Sequence, residues 1–175
     1  MSYFDERIEQ DILKLRKLEQ ITNGKVSIKK ITGNPKNHIE IGLNFKTILS
    51  KEDLFPKNYT GIVHIDLLSK YPFHNPPKAT FVPLIFHPNV YSNGVVCLGP
   101  IWRPTEFLDL LVKRLVQIMI FDPLLTNPNS PANIDAANWY RNVIRTRSNF
   151  FPTENLSNVF IEKQIKPNIT FRKIK

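Results

Sequence analysis

Seven of the chain's fourteen prolines lie between Pro72 and Pro104, which prevents the middle of this sequence from being continuous helix or sheet. Proline has no N–H to give to a ladder, and inside a helix it removes a bond. The run Tyr71-Pro72-Phe73-His74-Asn75-Pro76-Pro77 must therefore be a stiff connection. From Pro83 to Pro104, Pro, Gly and Asn recur at short intervals, so this stretch must be extended or looped. Regular structure is left mainly to the two flanks.

On the N-terminal flank, Ile8, Ile12, Leu15 and Leu18 recur at steps of four, three and three within Asp5 to Ile21. That spacing is the signature of an amphipathic helix, which Asn23-Gly24 ends. Val26, Ile28 and Lys30 then alternate with Ser27 and Lys29 before the turn Gly33-Asn34-Pro35, and Ile39, Ile41 and Leu43 alternate after it. These read as two antiparallel strands, with a third over Thr60 to Leu68 and a short fourth over Lys78 to Val82. On the C-terminal flank, Trp102-Arg103-Pro104-Thr105 opens a helix with Thr105 as its expected cap and an apolar face through Leu108, Leu111, Leu115, Ile118 and Met119. Asp122-Pro123 ends it. Ser130-Pro131 is expected to start the next helix, with serine capping and proline at the first position, and Ala132 to Val143 continue it. One further helix is expected over Thr153 to Gln164.

The length of 175 residues suits one domain with a real core and a tail, divided here into a core of 1–147 and a basic extension of 148–175. Of the net charge of +9, residues 145 to 175 supply +5. That favours a solvated basic surface over a nucleic-acid groove. The charged start and the lack of any long apolar run predict a soluble protein without a membrane span. A single cysteine, Cys97, agrees with the cytoplasm. It also excludes an intramolecular disulfide, and with scattered histidines it cannot build a structural zinc site, so no metal is expected. Cys97 is then either a nucleophile or an inert core residue.

Its context decides between these. Cys97 lies ten positions after His87 in His87-Pro88-Asn89-Val90-Tyr91-Ser92-Asn93-Gly94-Val95-Val96-Cys97-Leu98, on a loop-rich stretch where reactive groups are often carried. The order helix, four-strand meander, Tyr-Pro-Phe with Pro-Pro, His-Pro-Asn, Cys, Trp-x-Pro, helix, Asp-Pro, Ser-Pro-Ala-Asn, helix resembles the ubiquitin-conjugating (E2) enzymes. The resemblance covers roughly residues 1 to 145 and is sharpest from Tyr71 to Ala137.

The resemblance implies the α+β, UBC-like fold: an N-terminal helix, a four-stranded antiparallel meander, a central helix packed on the sheet, and C-terminal helices. It implies that Cys97 accepts the C-terminus of a ubiquitin-like modifier as a thioester from an E1-like activating enzyme. Cys97 then passes it to an amine or another thiol, with an E3 ligase or target protein as further partners and no cofactor. Thiol attack on a thioester exchanges one thiolate for another, so loading needs positioning more than a strong base. Asn89 matches the asparagine proposed to hydrogen-bond the oxyanion, or it holds the loop. His87 looks like a general base, yet in the family it is mainly structural. Ser130 aligns with a gate position near the attacking lysine, although its role as a helix cap explains it without catalysis and is the preferred reading, and Asn127 and Asn129 are nearby polar alternatives. Phe73, Pro104 and Thr105 align with ligase-contacting positions, and Arg7 and Lys14 with the activating-enzyme surface.

The chain also departs from the family. Gly99-Pro100-Ile101 leads directly to Trp102, so the flap beside the thiol is short. His74-Asn75 lengthens the proline turn, Leu124 to Asn127 lengthens the loop before Ser130, and the segment between strands two and three lacks the usual Gly-Pro pattern. These features suit a divergent member, such as one from a bacterial ubiquitin-like conjugation system. The rival readings are a noncatalytic scaffold on the same fold, a basic nucleic-acid-binding domain, and a cysteine hydrolase. The hydrolase would require folding to bring His38, His64 or His74 to the thiol.

Overall fold

The computed structural model describes residues 3–99, 102–152 and 154–161. Helix α1 (Tyr3–Ile21) buries Ile8, Ile12, Leu15 and Leu18, the four residues of the expected stripe. Strands β1 (Val26–Thr32) and β2 (His38–Leu43) follow, and a small antiparallel ribbon of β3 (Lys46–Thr47) and β4 (Lys57–Asn58) precedes β5 (Ile62–Asp66) and β6 (Lys78–Val82). The main sheet runs β1-β2-β5-β6, antiparallel throughout. Alternation sets its inner face: Ile39, Ile41, Val63, Ile65, Ala79 and Phe81 are buried. In β1 a bulge between Ile28 and Lys30 shifts the register, bringing Ile31 opposite Ile39. The expected meander is present, and β3 and β4 are additions to it.

Helix α2 (Leu108–Met119) carries a broad apolar face, with Leu108, Leu111, Val112, Leu115, Val116, Ile118 and Met119 all buried. Its N-terminus corrects one expectation. Thr105 is an exposed turn residue, and the cap position, Phe107, makes no side-chain cap bond. The Leu108 N–H is instead given to Asp11 Oδ1 of α1 at 2.9 Å. Asp11 Oδ2 accepts from Arg7 Nε at 3.0 Å and from the Tyr71 hydroxyl at 2.7 Å. The Arg7 guanidinium also donates to the carbonyls of Pro104 (2.6 Å) and Glu106. Trp102 Nε1 donates to the Pro72 carbonyl at 2.9 Å, closing the same corner. Arg7 is therefore not an open partner-binding residue as expected: it is buried, with its charge turned onto Asp11.

Helix α3 (Ile134–Thr146) likewise does not start at Ser130-Pro131. Its cap is Asn133, whose side chain accepts the Ala136 N–H at 3.0 Å, while Ser130 lies in the preceding turn. Asn133 has the free extended backbone a cap needs, and Ser130 is already committed to a turn. The boundary drawn at 147 falls inside packed structure. Phe150 is buried with Ile48, Phe121, Tyr140 and Val143, and Leu156, Val159 and Phe160 pack on the main core. Of the helix expected over 153–164, the described residues 154–161 form only the turn α4 (Leu156–Val159); residues 153 and 162–164 lie outside the described residues.

At its C-terminus α2 closes with two reverse bonds, Phe121 N–H to Ile118 O (3.0 Å) and Asp122 N–H to Gln117 O (2.9 Å). This places Phe121 at φ 59°, where glycine is usual and a larger residue costs roughly 1–2 kcal/mol.

Arg7→Ala would leave the Asp11 carboxylate buried without its cation, at a cost of about 3–5 kcal/mol by urea denaturation. A loss below about 1 kcal/mol would show that the network carries no more than a surface pair.

Candidate active site

The spacing from His87 to Cys97 is explained by a hairpin that the loop-rich sequence conceals. Val90 bridges Val96, and Tyr91 N–H is given to Val95 O at 2.9 Å around the turn Ser92-Asn93-Gly94. Gly94 takes φ 83°, and a Cβ there would lie 2.6 Å from the Phe81 carbonyl. Only glycine lets the turn approach the sheet so closely. The far arm lies along β6, with Phe81 N–H to Gly94 O and Val96 N–H to Ala79 O, both 2.9 Å. Cys97, the next residue, gives its own N–H to Asn89 O at 2.7 Å. The thiol is thus carried on backbone fixed from both sides. It is free and half-buried.

Asn89 joins this hairpin to the loop after α2. Its Nδ2 donates to Leu125 O at 3.0 Å and its Oδ1 accepts the Asn127 N–H at 2.9 Å. An amide nitrogen carries two hydrogens, so one remains beyond the Leu125 bond. Asn127 continues the chain of contacts: its Oδ1 accepts the N–H groups of Asn129 and Ser130, both at 3.2 Å. Ala132 and Asn133 give theirs to the Pro88 carbonyl at 2.8 and 3.1 Å. Cys97, Asn89, His87, Asn127, Asn129 and Ser130 therefore belong to one stitched pair of loops.

His87 is fully buried and belongs to the scaffold. Its Nδ1 accepts the Asn89 N–H at 2.9 Å, so the proton sits on Nε2, which faces the Thr126 hydroxyl at 3.4 Å. That hydroxyl donates onward to Asp122 O at 2.9 Å. Burial pushes the imidazole down to about 3 from its ordinary 6.5, so it is neutral and both of its nitrogens are occupied. It cannot serve as a base. The other histidines of the hydrolase reading are engaged or placed elsewhere. His38 bonds Asp66 at 2.6 Å and its ring meets His64 on the outer sheet face, while His74 is exposed in the proline turn.

The expected partner-contact residues gather at the other corner. Phe73 is exposed with its ring tilted against that of Tyr3 at 5.1 Å, and Thr105 is exposed. Pro104 is half-buried and holds Arg7 by its carbonyl, and exposed Lys14 lies over the Phe107 ring at 4.3 Å. Sequence reasoning missed Thr126, Leu125 and Phe121, which act through backbone or ring contacts that no motif marks. It also missed the hairpin, although Asn93-Gly94 between apolar residues is a turn signal. Pro100 and Ile101 of the short flap lie outside the described residues. Among the described residues no group of three or more His, Cys, Asp or Glu is arranged to hold a metal, and no helix is long and apolar enough to cross a membrane.

The neutral, buried His87 gives a pH signature. Between about pH 3 and 6.5 the unfolded chain binds a proton that the folded chain does not, so stability falls as pH drops through that window. From pH 7 to 5 the His87 share of the loss is about 2 kcal/mol. Urea denaturation of the wild type and His87→Gln at both pH values isolates it; equal pH slopes would contradict the buried neutral ring.

Residues 41–151 match the family model described as ubiquitin-conjugating enzyme. A "Ubiquitin-conjugating enzyme E2 2" of Mycosarcoma maydis is 43% identical over 74 residues, 41% of this chain and 37% of that protein. A "Ubiquitin-conjugating enzyme E2" of African swine fever virus (strain Badajoz 1971 Vero-adapted) is 34% identical over 86 residues, 43% of this chain and 38% of that protein. The protein of the same name from the isolate Pig/Kenya/KEN-50/1950 is 28% identical over 132 residues, 65% of this chain and 58% of that protein. The chain thus spans between about a third and three fifths of the length of these relatives. With the family match over most of the chain and the meander, central helix and His-Pro-Asn/Cys hairpin in place, this chain belongs to the ubiquitin-conjugating enzyme (E2) family.

Proposed function

We propose that the protein is a cytoplasmic E2-type carrier that takes a ubiquitin-like protein from an E1-like activating enzyme as a thioester on Cys97. It then delivers the modifier to an amine, such as a lysine, or to another thiol, with an E3 ligase or target protein completing the transfer. The observation that carries this reading is the held position of Cys97, a half-buried thiol on a hairpin locked to β6 and to Asn89.

In loading, the Cys97 thiolate attacks the carbonyl of the incoming thioester, the C–S bond to the activating enzyme breaks, and that thiolate leaves. In discharge an amine attacks, an amide C–N bond forms, the amine proton goes to solvent and the Cys97 thiolate leaves. Neither step needs an imidazole, which agrees with His87 being neutral and enclosed. Negative charge gathers on the carbonyl oxygen as the amine adds, and the remaining Nδ2 hydrogen of Asn89 is the donor suited to it.

Incubation with a candidate modifier, an activating enzyme and ATP would yield an adduct cleaved by thiol reductant in the wild type and none in Cys97→Ala. Cys97→Ser would give an oxygen ester that survives the reductant. Absence of any adduct with cognate partners would favour a noncatalytic scaffold on the same fold. Asn89→Ala would still load, and discharge to lysine would slow by about a hundredfold. Equal slowing of loading and discharge would assign Asn89 to the loop alone.

A further inference from the structure

The segment after α3 meets Phe121, whose ring touches the thiol loop at His87. Phe121 occupies the left-handed position that closes α2, which glycine or asparagine ordinarily fills, and a bulky ring held there signals a demand on that ring's place. The ring lies 4.4 Å from the His87 imidazole. It also stacks with Phe151, at 4.6 Å and 29°, and with Tyr140, at 5.9 Å and 17°. Phe151 also contacts Tyr140 at 5.1 Å and Trp139 at 5.8 Å, so the chain leaving α3 is pinned by rings to Phe121.

His87 transmits this placement. Its ring has one orientation in which Nδ1 receives the Asn89 N–H while Nε2 faces Thr126, and Asn89 in turn holds the Cys97 N–H and the Leu125–Asn127 loop. Filling a core would not require this arrangement, because an aliphatic side chain on a relaxed backbone excludes water as well.

We propose that Phe121 and Phe151 are positioning residues for acyl transfer: the segment after α3 clamps the Phe121 ring against His87, and so sets Asn89 and the Cys97 hairpin for discharge of the thioester. This rests on the carrier function proposed above. The segment is then part of the reaction apparatus and not an appended tail. Loading, which needs an accessible thiol, depends on the clamp weakly. Discharge, which needs a donor aligned on the forming oxyanion, depends on it strongly, since a misplacement of about 1 Å costs up to about a hundredfold in rate.

The test uses the full chain and separates loading from single-turnover discharge of the preformed thioester to free lysine. Phe151→Ala is expected to load within about twofold of the wild type and to discharge about tenfold more slowly, and Phe151→Tyr, which keeps the ring, to restore discharge to within about twofold. Val26→Ala, buried where β1 meets α1, serves as a variant with a lowered melting temperature and is expected to discharge as the wild type does. Wild-type discharge by Phe151→Ala would overturn the proposal, and so would equal slowing by Val26→Ala, which would assign the effect to stability. If Phe151→Ala fails to fold, Phe151→Leu, which keeps volume without stacking, is read by the same criteria. Failure of the wild type to form a thioester would instead remove the carrier function itself.

Discussion

Asp11 has no contact with solvent, and its two oxygens hold three parts of the chain that are far apart in sequence. One oxygen takes the first N–H of α2, and the other takes the Arg7 guanidinium of its own helix and the Tyr71 hydroxyl of the proline turn. Burial drives its carboxyl above the usual range, against the pull of Tyr71, Leu108 and Arg7. A buried carboxylate persists only when its donors are all in place, so the arrangement is close to all-or-none. It fixes where α2 begins relative to the proline turn and α1. The seven buried side chains of α2 then fix that helix on the sheet, and its far end presents Phe121 and the Asp122–Ser130 loop to the hairpin that carries Cys97.

The site itself is made almost wholly of backbone groups. The thiol's residue is held by a carbonyl, the Asn89 amide is held by a carbonyl and an N–H, and His87 spends its ring nitrogens on an N–H and a hydroxyl. Such a site supplies orientation without acid–base power, which suits the proposed loading by exchange of one thiolate for another and leaves discharge to the positioning of the attacking amine. The aromatic rings behind His87 belong to the same logic, because they constrain a ring that has no proton to move.

The sequence showed elements where one face is buried and the side-chain period is unbroken. The stripe of α1, the inner residues of β2, β5 and β6 and the apolar face of α2 lie where periodicity puts them. The His87-to-Cys97 motif was legible for another reason: its spacing is the length of a hairpin. What escaped was set by partners distant in the chain. Thr105 and Ser130 carry the local chemistry of caps, yet α2 is capped from Asp11, 97 residues away, and α3 starts at Asn133. Arg7 reads as a solvated helix charge because nothing within its own turn of helix reveals Tyr71 or the Pro104 carbonyl. Phe150 and Phe151 have no period, so only the fold shows that they pack on Phe121, Trp139 and Tyr140.

In the proposed transfer the Cys97 thiol works by placement and without an imidazole base. The most direct measurement is the rate of thioester discharge to free lysine as a function of pH over about pH 6 to 8, where an ordinary histidine titrates. The rate is expected to rise in proportion to the free amine, with no inflection in that window, because His87 is held neutral down to about pH 3. An inflection near pH 6.5 that disappears in a histidine variant would show an imidazole acting in the transfer, and would contradict it.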